Sequence, residues 1–231
     1  MTVPWIKICG VTRPEDAALA ADLGAGFVGI NFWPRSPRFV ADLVRAREIA
    51  DAARAASGAI RVAGVFVDQA PAWIDEVVDR AGLDLVQLHG DEPDEVVGRY
   101  AQRALRTLRA EAYARPTADS GTVHERSNGG RSLRQSVSVF AFLVESPAAG
   151  ALRGGSGVAW DWSAARELIA ALAPAPVFVA GGVRPENVRE AVAGSGARGV
   201  DVASGVESAP GLKDPDKLKK LFEVLGEAVG R

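Results

Sequence analysis

The alternation of short β-rich runs with longer alanine-rich segments is the feature that most limits how this chain can fold. The short runs consist mainly of Val, Ile, Leu and Phe, and the segments between them carry apolar residues at helical spacing. This alternation is typical of βαβ units, which place parallel strands in one sheet with helices outside it. The predicted strands are, in chain order, residues 3–9, 27–32, 61–67, 83–88, 104–108, 139–144, 177–180 and 199–202.

Eight predicted strands with seven predicted helices indicate an α/β protein, a single (β/α)8 TIM barrel that spans residues 1–231 as one domain. An open dinucleotide-binding sheet is disfavoured, because no G-x-G-x-x-G turn follows the first strand. The helix expected after strand five has no counterpart in the sequence. Residues 111–138 are rich in Ser, Gly and Arg and lack a 3.6-residue apolar stripe, so we expect a loop there.

Charge and composition exclude several classes of function. The net charge is −2, from 27 basic and 29 acidic residues, which gives no electrostatic basis for binding nucleic acid or an anionic membrane. One cysteine and two histidines provide no cluster that resembles a zinc site. The first strand begins close to the N-terminus without a signal-like segment, and no apolar run reaches the roughly 18 residues that a membrane span needs. We therefore expect a cytoplasmic protein whose partner is a small-molecule substrate. The sequence does not distinguish a monomer from a homodimer.

The only cysteine, Cys9, closes the first predicted strand. Thr12 and Pro14 follow it with the marks of a helix start, a capping side chain and a first-turn proline. Cys9 is therefore expected at the carboxyl end of a strand, where barrels place their chemistry. The alternative is that Cys9 is a small buried hydrophobic residue, which is the more common fate of a free cysteine.

Three glycine-rich loops follow the last three predicted strands and have the composition of a phosphate site. Glycine lets backbone N–H groups approach an anion closely, and barrels often bind phosphate after strands seven and eight. The alternative is that these glycines only serve tight turns. The candidate phosphate-binding residues are Gly155, Ser156, Gly157, Gly181, Gly182, Ser204 and Gly205.

Three further residues are candidates for binding substrate on the same rim. Arg38, after strand two, suits bidentate pairing with a carboxylate, although a solvated loop arginine would look the same. His89 ends strand four and is either a substrate contact or a structural, hydrogen-bonded histidine. Asp201 lies within strand eight, where an inward-facing carboxylate would bind a substrate hydroxyl or a lysine.

Taken together, these stretches resemble the phosphoribosylanthranilate isomerase family of tryptophan biosynthesis. The resemblance covers nearly the whole chain except residues 111–138, with several motifs in the same order. The matching motifs are residues 7–12 (KICGVT), 36–40 (SPRFV), 62–67 (VAGVFV), 86–92 (VQLHGDE), 154–157 (GGSG), 180–188 (AGGVRPENV) and 201–207 (DVASGVE).

The resemblance implies an aldose–ketose isomerase that carries out an Amadori rearrangement of phosphoribosylanthranilate to its 1-deoxyribulose phosphate isomer. It implies Cys9 as the general base, Arg38 as the group that holds the anthranilate carboxylate, and no metal or organic cofactor. The general acid of the family is an Asp at the end of strand six, where this chain has Glu145. We expect Glu145 to serve as the acid, with its carboxyl displaced by roughly 1 Å, a shift that can cost about 10²-fold in rate.

Two other functions remain open at this point. The first is a weakened or non-catalytic barrel that binds a sugar phosphate, which the Asp-to-Glu difference and residues 111–138 would favour. The second is an isomerase for other phosphoribosyl amines. Such a substrate would call for another phosphate-binding loop on the opposite half of the barrel, and no glycine-rich loop follows strands three or four.

Overall fold

Eight parallel strands form a closed barrel in consecutive order, as predicted. The computed structural model describes residues 4–109, 138–145 and 162–228. Each strand pairs with its neighbours in the chain, and β1 closes the barrel by pairing with β8. The strands are β1 (Trp5–Cys9), β2 (Phe27–Asn31), β3 (Arg61–Phe66), β4 (Leu85–Leu88), β5 (Ala104–Arg109), β6 (Ala141–Glu145), β7 (Val177–Ala180) and β8 (Gly199–Val202).

Helices between these strands cover the outside of the barrel. A short antiparallel pair of strands, β9 (Glu207–Ala209) and β10 (Leu212–Lys213), lies between β8 and the last helix. The expected loop at residues 111–138 falls outside the described part of the chain, apart from Ser138. The helices are α1 (Pro14–Asp22), α2 (Leu43–Ala56), α3 (Pro71–Ala81), α4 (Asp94–Tyr100), α5 (Arg166–Ala171), α6 (Val188–Ser195) and α7 (Pro215–Ala228).

Local signals account for several helix ends. Asp42 caps α2 by accepting a hydrogen bond from the Val44 backbone N–H at 2.8 Å. Gly82 ends α3 in the left-handed conformation, with φ of 66°. The predicted cap of α1 by Thr12 is wrong. The Thr12 hydroxyl instead donates to the Gly211 carbonyl at 2.6 Å, a tertiary bond that a local pattern does not reveal.

Two sequence-based boundaries differ from the structure in ways that concern the site. The sixth strand extends one residue further than predicted, so Glu145 is its last residue and pairs in register with Arg109 and Ala180. Helix α6 begins at Val188 rather than at Pro185. The first difference places Glu145 at the carboxyl end of β6, and the second lengthens the loop between β7 and α6.

Aromatic side chains fill the end of the barrel opposite the predicted site. Trp5, Phe27, Phe140 and Phe178 pack together, with ring centroids 5.2–5.8 Å apart. Smaller aliphatic residues from β3 to β6 continue this interior cluster. Because the amino-terminal end is packed, ligand access is confined to the carboxyl ends of the strands. Among residues 4–109, 138–145 and 162–228, no helix has the length and apolar character needed to cross a membrane.

Candidate active site

A pocket lies at the carboxyl ends of the strands and gathers most of the predicted site residues. Ser204 heads a 3-10 turn over Ser204–Val206, and Gly205 lies within this turn rather than on the pocket wall. The predicted phosphate residues Gly155, Ser156 and Gly157 lie outside the described residues. The predicted residues that line the pocket are Cys9, Arg38, His89, Glu145, Gly181, Gly182, Asp201 and Ser204.

Cys9 ends β1 and is partly buried beside an ion pair. Lys7, two residues earlier on the same strand, is fully buried and donates to Asp201 Oδ1 at 2.9 Å. Asp201 therefore binds a lysine, one of the two partners expected for it. Burial raises the pKa of the Cys9 thiol, and the Asp201 carboxylate raises it further, while Lys7 opposes both effects.

Glu145 and His89 form a second pair, from β6 and the end of β4. The His89 Nε2 and Glu145 Oε2 atoms are 3.1 Å apart, and both side chains are nearly buried. Burial by itself would raise the pKa of Glu145. The nearby His89, Arg109 and Lys7 more than offset this effect, so the net pKa is lowered.

The other ring nitrogen of His89 also has protein partners. His89 Nδ1 lies 3.0 Å from Gln87 Nε2 and 3.1 Å from Thr107 Oγ1. Together with the pair to Glu145, these contacts hold the imidazole ring in an orientation that directs Nε2 towards Glu145. His89 is thus hydrogen-bonded as in the structural interpretation, and it also lines the pocket as in the functional one.

Arg38 belongs to a buried network of three charged side chains. Its Nε and Nη2 donate to the two carboxylate oxygens of Glu207, at 2.8 and 2.6 Å. Lys213 Nζ donates to Glu207 Oε1 at 2.8 Å and to the Cys9 carbonyl at 2.6 Å. Arg38 is therefore held in place by a bidentate pair and is not a freely solvated loop arginine.

Glycine is required where this network passes the end of β1. Gly10 has φ of 70°, and a Cβ at this position would lie 2.2 Å from Arg38 Cδ. The backbone after Cys9 therefore turns away from the strand and leaves room for the arginine side chain. The Cys9–Gly10 pair of the sequence motif thus allows both Cys9 and Arg38 to line the same pocket.

The loops after β7 and β8 pack closely against each other. Gly181 and Gly182 adopt positive φ values of 96° and 67°. A Cβ on Gly205 would lie 2.0 Å from the Val183 carbonyl oxygen. These glycines are needed for tight turns, and the turns also bring the two candidate phosphate loops together at one edge of the pocket.

The sequence interpretation missed three residues of this site. Lys7, Glu207 and Lys213 are buried and charged, yet no role was predicted for them. A signal existed for Lys7, because a charged residue in an otherwise apolar strand must find a partner. In the part of the chain that the structure describes, no group of three or more His, Cys, Asp or Glu side chains could hold a metal ion.

Comparison with known proteins identifies the family. Residues 6–224 match the family model described as N-(5'phosphoribosyl)anthranilate (PRA) isomerase. The chain belongs to the phosphoribosylanthranilate isomerase family. The N-(5'-phosphoribosyl)anthranilate isomerase of Myxococcus xanthus is 44% identical over 216 residues, which cover 93% of this chain and 92% of that protein.

Solved structures of the isomerase family share the fold. The phosphoribosyl anthranilate isomerase of Thermus thermophilus has a TM-score of 0.76 at 33% identity, covering 97% of this chain and 99% of that one. A phosphoribosyl anthranilate isomerase in complex with reduced 1-(o-carboxyphenylamino)-1-deoxyribulose 5-phosphate has a TM-score of 0.70 at 27% identity, with coverage of 97% and 99%. None of these findings supports the alternative of a non-catalytic sugar-phosphate-binding barrel.

Proposed function

We propose that this chain converts phosphoribosylanthranilate to 1-(2-carboxyphenylamino)-1-deoxyribulose 5-phosphate, with Glu145 as general acid and Cys9 as general base. The observation that carries this assignment is the position of the two groups in one pocket. Cys9 ends β1 and Glu145 ends β6, and the strands β7 and β8 separate them around the barrel. The two side chains therefore approach a bound sugar from different directions, as acid and base must.

The reaction needs one proton donated and one removed. Glu145, when protonated, gives its proton to the ring oxygen, the C1–O bond breaks, and the anthranilate nitrogen supplies the electron pair that forms a C=N bond. Cys9 as thiolate then removes the proton from C2, and the C–H electrons move to form an enamine-like enol. The enol hydroxyl then loses its proton while C1 gains one, which gives the ketone. Each step is a proton transfer, the class of chemistry to which positioned side chains contribute about 10²–10⁴-fold.

Arg38 and Asp201 are proposed to orient the substrate around this pair. Glu207 occupies Nε and Nη2 of Arg38, and we propose that Nη1 takes the anthranilate carboxylate. Asp201, with one oxygen on Lys7, is proposed to accept a sugar hydroxyl with the other. His89 contacts Glu145 and is proposed to keep the acid aimed at the ring oxygen.

The phosphate is proposed to bind at the edge formed by the loops after β7 and β8. Gly181, Gly182, Ser204 and Gly205 support this because the structure brings these two loops together. Gly155, Ser156 and Gly157 are included in the proposed phosphate site on the basis of the sequence alone.

The oligomeric state, monomer or homodimer, and the expected lack of a cofactor remain predictions. A phosphoribosylanthranilate isomerase of Thermotoga maritima is described as dimeric.

The assay follows the fluorescence of phosphoribosylanthranilate as it is consumed. We expect the wild-type chain to consume it and Glu145→Gln to lose about 10²–10⁴-fold in kcat, because the amide cannot donate an acid proton. Glu145→Asp, which restores the family residue, should retain far more activity than the Gln variant. Glu48→Gln, an exposed change of the same kind on α2, is the control. Near-wild-type turnover by Glu145→Gln would remove Glu145 from the mechanism.

A further inference from the structure

Lys7 is a buried charge that the proton transfers above do not use. Its side chain has no exposed surface, and it lies in the middle of β1. Lysine is almost never fully buried unless it is paired, because removing an ammonium from water costs several kcal/mol. Asp201 supplies one partner, at 2.9 Å. The ammonium has three donors, so a single carboxylate oxygen does not account for all of them.

The second group beside the Lys7 ammonium is the Cys9 thiol. Residues two apart on a strand point to the same side, so Lys7 and Cys9 both face the barrel interior. Gly29 of β2 pairs with Cys9 in register. A Cβ on Gly29 would lie 2.9 Å from Cys9 Sγ and 3.0 Å from Lys7 Nζ. The sulfur and the ammonium therefore border the same small space, which glycine keeps open.

Other charges around Cys9 largely cancel one another. Lys213 and Arg38 lie near the thiol, but both donate to the Glu207 carboxylate. Asp201 faces the thiol from β8 with a negative charge, which opposes ionisation of the sulfur. Lys7 is the cation that lies in the same interior layer as the sulfur, and its pKa is raised because Asp201 and Cys9 outweigh its burial. Lys7 therefore keeps its charge in the barrel.

We propose that Lys7 is a positioning residue for the reaction, whose ammonium, anchored by Asp201, stabilises the Cys9 thiolate that removes the C2 proton. Lys7 gives up no proton in this role. The thiolate takes the C2 proton and becomes a thiol, while the ammonium remains charged and paired with Asp201. This inference rests on the proposed function of Cys9. It adds a residue whose influence on the sulfur is measurable without turnover.

The single cysteine makes the test specific, because a thiol-alkylating reagent reports on Cys9 alone. The rate of iodoacetamide alkylation is measured by mass spectrometry from pH 6 to 11 on the folded full-length chain. Each variant is normalised to its own limiting rate at high pH, so that differences in access to the pocket cancel. We compare wild type, Lys7→Met, Asp201→Asn and the control Lys219→Met, which removes an exposed lysine on α7.

Removing the charge of Lys7 and removing that of Asp201 should change the alkylation rate of Cys9 in opposite directions. Near neutral pH, Lys7→Met should slow the normalised alkylation by roughly tenfold, the effect of losing one nearby opposite charge. Asp201→Asn should accelerate it, because the ammonium then has the sulfur as its main counter-charge. A purely structural ion pair would give no change or a change of the same sign in both variants, and either outcome would overturn the proposal.

Asp201→Asn keeps the size of the side chain, so it can still refute the proposal if Lys7→Met does not fold as judged by circular dichroism. In that case, alkylation that is unchanged or slower in Asp201→Asn refutes the role of Lys7. Failure of the proposed function is a separate result. It would appear as wild-type protein that does not consume phosphoribosylanthranilate, whatever the alkylation rates of the variants.

Discussion

Glu207→Gln should lower the stability of this protein clearly, although Glu207 is not assigned to proton transfer. Glu207 accepts bonds from Arg38 Nε, Arg38 Nη2 and Lys213 Nζ, and a weaker one from the Gly211 N–H at 3.2 Å. The glutamine has nearly the same shape but no charge. Its amide NH₂ would also face a donor of Arg38 or of Lys213, whichever way the amide is turned.

The magnitude follows from burial. The exposed fraction of the side chain is 4% for Glu207, 11% for Arg38 and 0% for Lys213, so water cannot replace the lost carboxylate. Removing one partner of such a buried pair costs about 3–5 kcal/mol, and we expect the lower end because the amide oxygen still accepts one bond. For a domain of this size, 3 kcal/mol lowers Tm by roughly 6–12 °C.

The effect should also depend on pH. Arg38 and Lys213 outweigh burial and hold the pKa of Glu207 below its ordinary value. The stability that this carboxylate contributes is therefore present above its unfolded pKa of about 4.3 and is lost as the pH falls through the lower folded value. The difference in unfolding free energy between wild type and variant should narrow in acid.

Urea unfolding followed by circular dichroism measures the difference, and Glu76→Gln is the matched control. Glu76 pairs with Arg80 on the exposed face of α3, where such a pair contributes less than about 1 kcal/mol. Turnover should show a raised KM, by roughly tenfold, with a smaller effect on kcat, because Arg38 is proposed to bind a carboxylate that does not react. A loss of stability below about 1 kcal/mol in Glu207→Gln would refute the argument from burial.

Two further predictions follow from the site. The kcat/KM of the wild-type enzyme should be flat across neutral pH, because the pKa of Glu145 is lowered by His89 and that of Cys9 is raised by burial. A fall that starts between pH 5 and 8 would contradict this assignment. Gly205→Ala should raise KM and weaken competition by inorganic phosphate, since its Cβ would meet the Val183 carbonyl oxygen at 2.0 Å. Gly226→Ala, on α7 with open space at its Cβ, is the control and should leave KM unchanged.

The fold was predictable because its signal is repeated along the chain. Eight apolar runs of strand length, separated by helical segments, leave few arrangements other than a barrel, and an error at one boundary does not alter the count. The errors fell where a local pattern competed with a distant partner. Thr12 looked like a cap, but its hydroxyl bonds the Gly211 carbonyl, 199 positions along the chain. No window of sequence contains that information.

The site was predictable in its residues at strand ends and not in its buried ion pairs. Cys9 and Glu145 are strand ends in a barrel, and that position alone marks them as candidates. The partners of Arg38 were not visible, because Glu207 lies 169 positions away and its carboxylate has no spacing pattern that points to a guanidinium. A buried ion pair is defined by three-dimensional closeness, so sequence reveals that Lys7 needs a partner but not which one it has.

In the proposed mechanism, the site at rest holds its proton on Cys9, the group that must lose it. The pKa of Cys9 is raised and that of Glu145 is lowered, so at neutral pH the pair contains a thiol and a carboxylate. The proposed reaction begins from a thiolate and a carboxylic acid, a state with the same total charge. A change of pH therefore cannot convert one state into the other, because it adds or removes a proton rather than moving one.

Substrate binding is expected to change the pKa values of both groups, because it removes water from around them. We expect displacement of water from the pocket to raise the pKa of Glu145, which favours the acid form that the proposed first step requires. The same desolvation would also raise the pKa of Cys9, which is the wrong direction for a base. An adjacent fixed cation counteracts this, and its effect grows as the local dielectric falls. Lys7 has the position for that role, since its ammonium borders the same space as the sulfur beside Gly29. The Lys7 ammonium is therefore proposed to stabilise the Cys9 thiolate most strongly when the substrate is bound.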